Sequence, residues 1–190
     1  MITIREETPF DVAPREALLD AAFGEARFAK TAERLREQRL AADGLSFVAC
    51  ADGRLVGTVR LWNVAAGRGR PALLLGPITV DADFRSHGIG AELMHHALAQ
   101  AGELGHRAVL LVGDAPYYSR FGFTTAATGA LTLPGPYARE RFLARELTPG
   151  ALAGAHGLVS PTGIRVAKAA PKRRFRAVAG NDTTLATRAA

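Results

Sequence analysis

Residues 85–90, Arg85-Ser86-His87-Gly88-Ile89-Gly90, set two glycines one residue apart beside an arginine and a histidine. Glycine has no Cβ and takes positive φ at little cost, so such a pair lets successive backbone amides turn toward one point. The apolar residues Ile89, Leu93, Met94, Ala97, Leu98, Ala101 and Leu104 then recur at steps of three to five. They trace one face of a helix that starts within residues 87–90 and ends near Gly105. An anion at its start would meet unpaired N–H groups, the positive end of the helix dipole and a cationic side chain together. The run is not Gly-x-x-x-x-Gly-Lys-Ser/Thr, so nucleoside triphosphate hydrolysis is not indicated. Nor is it Gly-x-Gly-x-x-Gly, because helix continues where a third glycine would stand, which argues against a dinucleotide.

A second group of candidates follows the apolar run 108–112: Asp114, then the pair Tyr117-Tyr118 on a short helix over residues 115–120. Neighbouring tyrosines on a helix point in different directions, so one can face a site while the other packs. Asp114 sits where a general base would be useful, and it also has the residue type of a helix N-cap; both readings stand at this level. Trp62 and Arg60 could border a substrate, with core packing and a solvent-facing charge as the default readings. His106 falls at the other end of the sheet. The single cysteine, Cys50, lies in an apolar run and reads as a core residue, and no Cys or His cluster suggests a metal.

The elements that must hold these residues are legible in outline. Residues 2–6 read as a strand and residues 12–23 as a first helix, preceded by the turn and cap residues Thr8-Pro9-Phe10-Asp11. The charged stretch 31–40 reads as a second helix. Residues 45–51 and 54–62 flank Asp52-Gly53, the dipeptide of a two-residue hairpin. Residues 73–80 are apolar with little alternation, so that strand is expected to be central and covered on both faces. A helical crossover joins it to 108–112, which makes the two strands parallel near neighbours. Further strands are expected near 123–125, 131–133 and 142–147.

The chain has 190 residues, 48% of them hydrophobic, enough for one domain with a real core. It starts without the apolar stretch of a signal peptide and holds no run long enough to span a bilayer, which leads us to expect a soluble cytoplasmic protein with no membrane partner. The formal charge of +6 is segregated. Residues 1–164 hold 17 Lys/Arg and 17 Asp/Glu, whereas residues 165–190 hold seven basic residues against Asp182 alone. We therefore expect a folded domain over 1–168 and a basic, poorly ordered tail over 169–190. A nucleic-acid partner is not expected, except through that tail.

The segments Leu73-Leu74-Leu75-Gly76-Pro77-Ile78-Thr79-Val80, Arg85 to Gly90 and Tyr118-Ser119-Arg120-Phe121-Gly122-Phe123 together resemble the GNAT superfamily of N-acetyltransferases. That family's phosphate-binding pattern is Arg/Gln-x-x-Gly-x-Gly/Ala after the fourth strand, and its characteristic tyrosine stands four residues before a Gly-Phe. Both spacings match here. Gly113-Asp114-Ala115-Pro116-Tyr117-Tyr118 and Glu146-Leu147-Thr148-Pro149-Gly150-Ala151-Leu152 resemble its YhbS-like bacterial branch. The resemblance implies an α/β (α+β) fold with a mixed, mostly antiparallel sheet of six to seven strands, flanked by helices, whose fourth and fifth strands splay apart. It implies acetyl-coenzyme A or another acyl-coenzyme A as cosubstrate, no metal, and a small-molecule or protein amine as acceptor; dimerisation stays open. Ile78 and Val80 would pair with the pantetheine arm; Arg85, Ser86, His87, Gly88, Ile89 and Gly90 would hold the pyrophosphate. Tyr118 would be the general acid, its phenol with an ordinary pKa of about 10 being matched to a departing thiolate. Asp114 is the candidate base. A non-catalytic acyl-coenzyme A sensor of the same fold is the alternative.

Overall fold

The computed structural model describes residues 1–166; the expected boundary at 168 and the basic tail lie outside the described residues. The strands are β1 (Ile2–Glu6), β2 (Ser46–Ala51), β3 (Arg54–Ala66), β4 (Pro71–Val80), β5 (Ala108–Val112), β6 (Leu131–Thr132), β7 (Phe142–Glu146) and β8 (Gly157–Pro161). The α-helices are α1 (Val12–Phe23), α2 (Ile89–Glu103) and α3 (Ala115–Tyr118). The sheet runs β1-β2-β3-β4-β5-β7, with β8 beside the far end of β3 and β6 beside β8. All ladders are antiparallel except β4–β5 and β6–β8. This is the GNAT fold. Strand β8 has no counterpart in the sequence reading: Gly157-Leu158-Val159-Ser160-Pro161 is short and ends in proline, and it is a strand because it covers the stretch of β3 that outruns β2.

The alternation of side chains across the sheet divides the core into two layers. On one face Leu73 and Leu75 of β4, with Val109 and Leu111 of β5, pack under Ile89, Leu93, Met94, Ala97 and Leu98 of α2. On the other, Leu74 and Leu110 pack with Leu35, Trp62, Leu131 and Phe142. Strand β4 is thus central and covered on both faces, as its lack of alternation predicts. Burying a side chain such as Leu93 contributes roughly 1.5–3 kcal/mol, and truncating it to alanine costs about 2–5 kcal/mol because α2 cannot collapse onto the gap.

Helix α1 closes at Gly24, where φ is 60° and the amide returns to the Asp20 carbonyl 2.9 Å away. It is pinned through charge as much as through packing. Glu7 accepts from Arg15 of α1 and, at 2.8 and 2.5 Å, from Arg60 of β3, all three being largely buried. Arg60 is therefore a partner in an internal ion network rather than a solvent-facing charge. Asp11 accepts two hydrogen bonds from Arg5, at 2.7 and 2.8 Å, and the amide and hydroxyl of Thr8 at 2.8 and 2.7 Å. The Arg5 hydrogen bond holds the Asp11 carboxyl far below the usual carboxylate range, against the opposing effect of burial.

Two expected elements differ. The stretch 31–40 is not an α-helix: two 3-10 segments, Glu25–Ala29 and Thr31–Leu35, meet at an extended Lys30, and Gln38 takes a left-handed φ of 54°. Only Leu35 and Thr31 of the second segment are buried, too little for a continuous helical stripe. Residues 123–125 make one bridge, Thr124 to Ala144, and then turn into the 3-10 segment Ala126–Thr128. The hairpin at Asp52-Gly53 is as expected, with φ of 47° and 84°. Among the described residues no helix is long and apolar enough to cross a membrane.

Candidate active site

Strands β4 and β5 pair only at Leu73–Val109 and Leu74–Leu110. Beyond that point β4 is bulged: its register against β3 slips between Leu75 and Ile78, so Gly76-Pro77 form the extra step. Proline cannot donate to a ladder, and the Gly76 carbonyl instead accepts the indole N–H of Trp62 at 2.6 Å. Trp62 therefore holds the bulge from below. The parting of the strands opens a cleft of roughly 710 Å³. Leu75 to Val80 form one wall and Leu111 to Asp114 the other, with Gly90 at one end and the loops carrying residues 27–36 and 136–141 around the other.

The described structure brings Ile78, Val80, Gly90, Asp114 and Tyr118 together in this cleft. Arg85, Ser86, His87 and Gly88 continue outward from Gly90 as an exposed loop. Ser86 and Gly88 take left-handed φ of 66° and 81°, and Gly88 caps α2. This alternation turns the chain so that, among the described residues, none of the five amides from Ser86 to Gly90 donates to a protein acceptor. Five free donors at the positive end of a 15-residue helix form an anion cradle. The His87 ring bonds at 2.8 Å to the carbonyl of Arg85, so its Nδ1 serves the loop. The Ile89 side chain is buried in the core, leaving only its amide to the cradle. The two glycines are needed for different reasons. Gly88 needs its positive φ; a methyl group on Gly90 would lie 3.2 Å from the Tyr117 hydroxyl and 3.7 Å from Val80 Cγ2.

Tyr118 and Tyr117 do face different ways. Tyr117 reaches back over Gly90, with the Arg120 guanidinium 4.6 Å from its ring centre. Tyr118 packs edge-on to Tyr117 at 5.0 Å and to Phe123 at 6.2 Å, with one side in the core and the other on the cleft. Its ring lies directly on Gly113. A methyl group there would be 2.1 Å from Tyr118 Cε2, an impossible contact, so glycine is the only residue that admits this placement. Gly113 is fixed in turn by its amide, which donates to the Arg141 carbonyl at 2.9 Å. Burial pushes the Tyr118 phenol up to about 12, with the neighbouring Tyr117 and Asp114 raising it and Arg141 opposing. Tyr118 therefore stays protonated across the physiological range.

Asp114 caps α3 with its backbone: its carbonyl takes the amides of Tyr117 at 3.0 Å and Tyr118 at 3.1 Å, and its side chain makes no cap bond. The carboxylate is left exposed on the cleft. Three features escaped the sequence reading: Gly113, and two cations on the cleft wall, Lys30 and Arg141. The antiparallel register Val112–Phe142 is the signal that would have brought Arg141 beside Gly113.

Residues 14–123 match the model of the acetyltransferase (GNAT) family. Over 158 residues, 82% of this chain and 93% of the relative, the sequence is 35% identical to an uncharacterised N-acetyltransferase, YhbS, of Escherichia coli K12. The crystal structure of a GNAT-family N-acetyltransferase (YhbS) of Escherichia coli in complex with coenzyme A superposes with a TM-score of 0.72 at 33% identity, covering 85% of this chain and 89% of that one. A GNAT-family acetyltransferase of Brucella melitensis in complex with acetyl-coenzyme A is similar at a TM-score of 0.56 and 29% identity, over 78% of this chain and 90% of that one.

Proposed function

The chain belongs to the acetyltransferase (GNAT) family, and from that premise we propose that it transfers an acetyl group from acetyl-coenzyme A to a primary amine by direct attack. The observation that carries the reading is the row of five undonated amides, Ser86 to Gly90, which ends at Gly90 on the lining of the cleft that also holds a protonated tyrosine. In this reading the amides and the Arg85 guanidinium hold the pyrophosphate. The edge of β4 that β5 abandons, around Ile78 and Val80, pairs with the pantetheine arm, which lays the thioester along the wedge toward Tyr118.

The amine enters from the end bordered by residues 27–36 and 136–141. Its nitrogen forms a bond to the thioester carbonyl carbon while the carbon–sulfur bond breaks. The sulfur takes the proton of Tyr118, and the proton lost by nitrogen goes to Asp114 or to water; solvent then reprotonates Tyr118. The high pKa keeps Tyr118 loaded with its proton, and the nearby Arg141 charge stabilises the phenolate that forms. No covalent enzyme intermediate is required. Release of free thiol from acetyl-coenzyme A, followed with an amine panel, tests the reading. Amine-dependent release is the expected result; release with no amine in the panel would contradict it. The cytoplasm, where acetyl-coenzyme A is made and used, is the compartment that suits this chemistry.

A further inference from the structure

The acceptor end of the cleft carries charges of both signs that the protein leaves unanswered. Four cationic side chains line it: Arg27, Lys30, Arg36 and Arg141. Two are spent internally. Arg27 binds Glu16 at 2.5 Å and Asp20 at 2.9 Å, and Arg36 binds Glu33 at 2.6 Å. Lys30 and Arg141 have no ion pair and no side-chain hydrogen bond among the described residues; the Lys30 ammonium rests 4.4 Å over the Phe23 ring. The cleft also holds one carboxylate, Asp114, likewise unpaired. Arg141, Asp114 and Tyr118 line the same cleft, with Asp114 bonded through its carbonyl to the Tyr118 amide and Arg141 through its carbonyl to the amide of Gly113.

The two loops at this end are also joined to each other. The Thr31 hydroxyl bonds to the Pro136 carbonyl, and the Arg34 guanidinium donates to the Pro134 carbonyl at 2.8 Å, tying the two loops together. Gly135 sits so closely under Thr31 that a methyl group there would be 2.9 Å from its hydroxyl. A cleft end bounded by two joined loops favours a small molecule over a continuous polypeptide laid through it.

We propose that the acceptor is a small amine that also bears a carboxylate, an amino acid or similar zwitterion. Arg141 and Lys30 receive the carboxylate, and Asp114 faces the amino group. The inference rests on the acetyl-transfer reading and names the substrate class for it. An amine without a carboxylate leaves these two solvent-exposed cations of the cleft without a partner from the substrate, and a polyamine is repelled by them.

The test compares each common amino acid with its carboxamide and with its decarboxylated amine, using free-thiol release from acetyl-coenzyme A. We expect at least one amino acid to exceed both of its analogues by about tenfold or more in kcat/KM, the size of one charge-assisted contact. Arg141→Gln should remove most of that preference by raising the acceptor KM, with the acetyl-coenzyme A KM nearly unchanged; Lys30→Gln should do the same to a smaller extent. Equal use of the analogues, or an Arg141→Gln effect confined to acetyl-coenzyme A, would overturn the inference. Calorimetric binding of the same compounds to the coenzyme A-saturated protein separates it from the reading on which it rests. No thiol release with any amine would end the transfer reading, and the binding data would then decide this one: carboxylate-dependent binding supports it, and binding without that dependence, or none, refutes it.

Discussion

Where the exposed loop meets the cleft at Gly90, the groups offered to a ligand are the amides of five consecutive residues, Ser86 to Gly90; elsewhere on the cleft they are the side chains of Lys30, Asp114, Tyr118 and Arg141, drawn from three separate stretches of chain. In the reading proposed above, the first end recognises what every acyl-coenzyme A shares, a pyrophosphate, with backbone donors that no substitution short of proline removes. In the same reading the second recognises the acceptor, and each of its groups can be exchanged singly. A fold divided this way can keep its cosubstrate while its acceptor changes. Disturbance at one end should therefore read out in one substrate's parameters and leave the other's alone.

The largest expected effect comes from Gly113→Ala. The added methyl collides with the Tyr118 ring at 2.1 Å, so the ring must leave its seat, and kcat should fall roughly a hundredfold, the lower range of what a general acid contributes. Steady-state kinetics should show little change in the acetyl-coenzyme A KM. A large loss of coenzyme A affinity instead would blur the division between the two ends.

Gly88→Ala probes the other end. Its φ of 81° costs an L-residue about 1–2 kcal/mol, so the cradle should distort and coenzyme A affinity by calorimetry should fall about tenfold. The acceptor preference should persist. Arg85→Ala should be milder, a few-fold loss that shrinks as salt rises, because the charge of an exposed guanidinium is screened.

Much of the first end was legible in the sequence, because a backbone site advertises itself through residues that shape backbone. Gly88 and Gly90, the buried run before them and the periodic helix after them are contiguous, and the splayed strands follow from the Gly76-Pro77 break. The second end was only partly legible. Tyr118 and Asp114 stand next to a readable strand, but Lys30 sits between two 3-10 segments without helical periodicity. Arg141 reaches the cleft only through the pairing of β5 with β7. Gly113 escaped for a different reason: its φ is ordinary, and what makes it necessary is a ring five residues on that folds back over it. Strand β8 depends on the excess length of β3, which no local pattern reveals.

The smallest expected effects are in stability against pH, and they too separate two regions. The Asp11 carboxyl, held low by Arg5 and Thr8, contributes stability that is present above the ordinary carboxylate range and is lost as pH falls through it toward the depressed value. The Tyr118 phenol, raised to about 12 by burial, contributes stability that is full below about 10 and is lost as pH rises between the two values. Denaturant titrations of Asp11→Asn should lose the acid-side dependence, and those of Tyr118→Phe the alkaline one. Neither substitution should touch the other limb.

The most direct test of the central claim is free-thiol release from acetyl-coenzyme A by the wild-type chain and by Tyr118→Phe, each at saturating acetyl-coenzyme A with the acceptor that the panel prefers. We expect amine-dependent release by the wild type and a roughly hundredfold lower kcat for the phenylalanine variant, with coenzyme A affinity retained. Equal rates for the two proteins would contradict the account, since the cleft would then hold its cosubstrate without using the partly buried phenol that faces it.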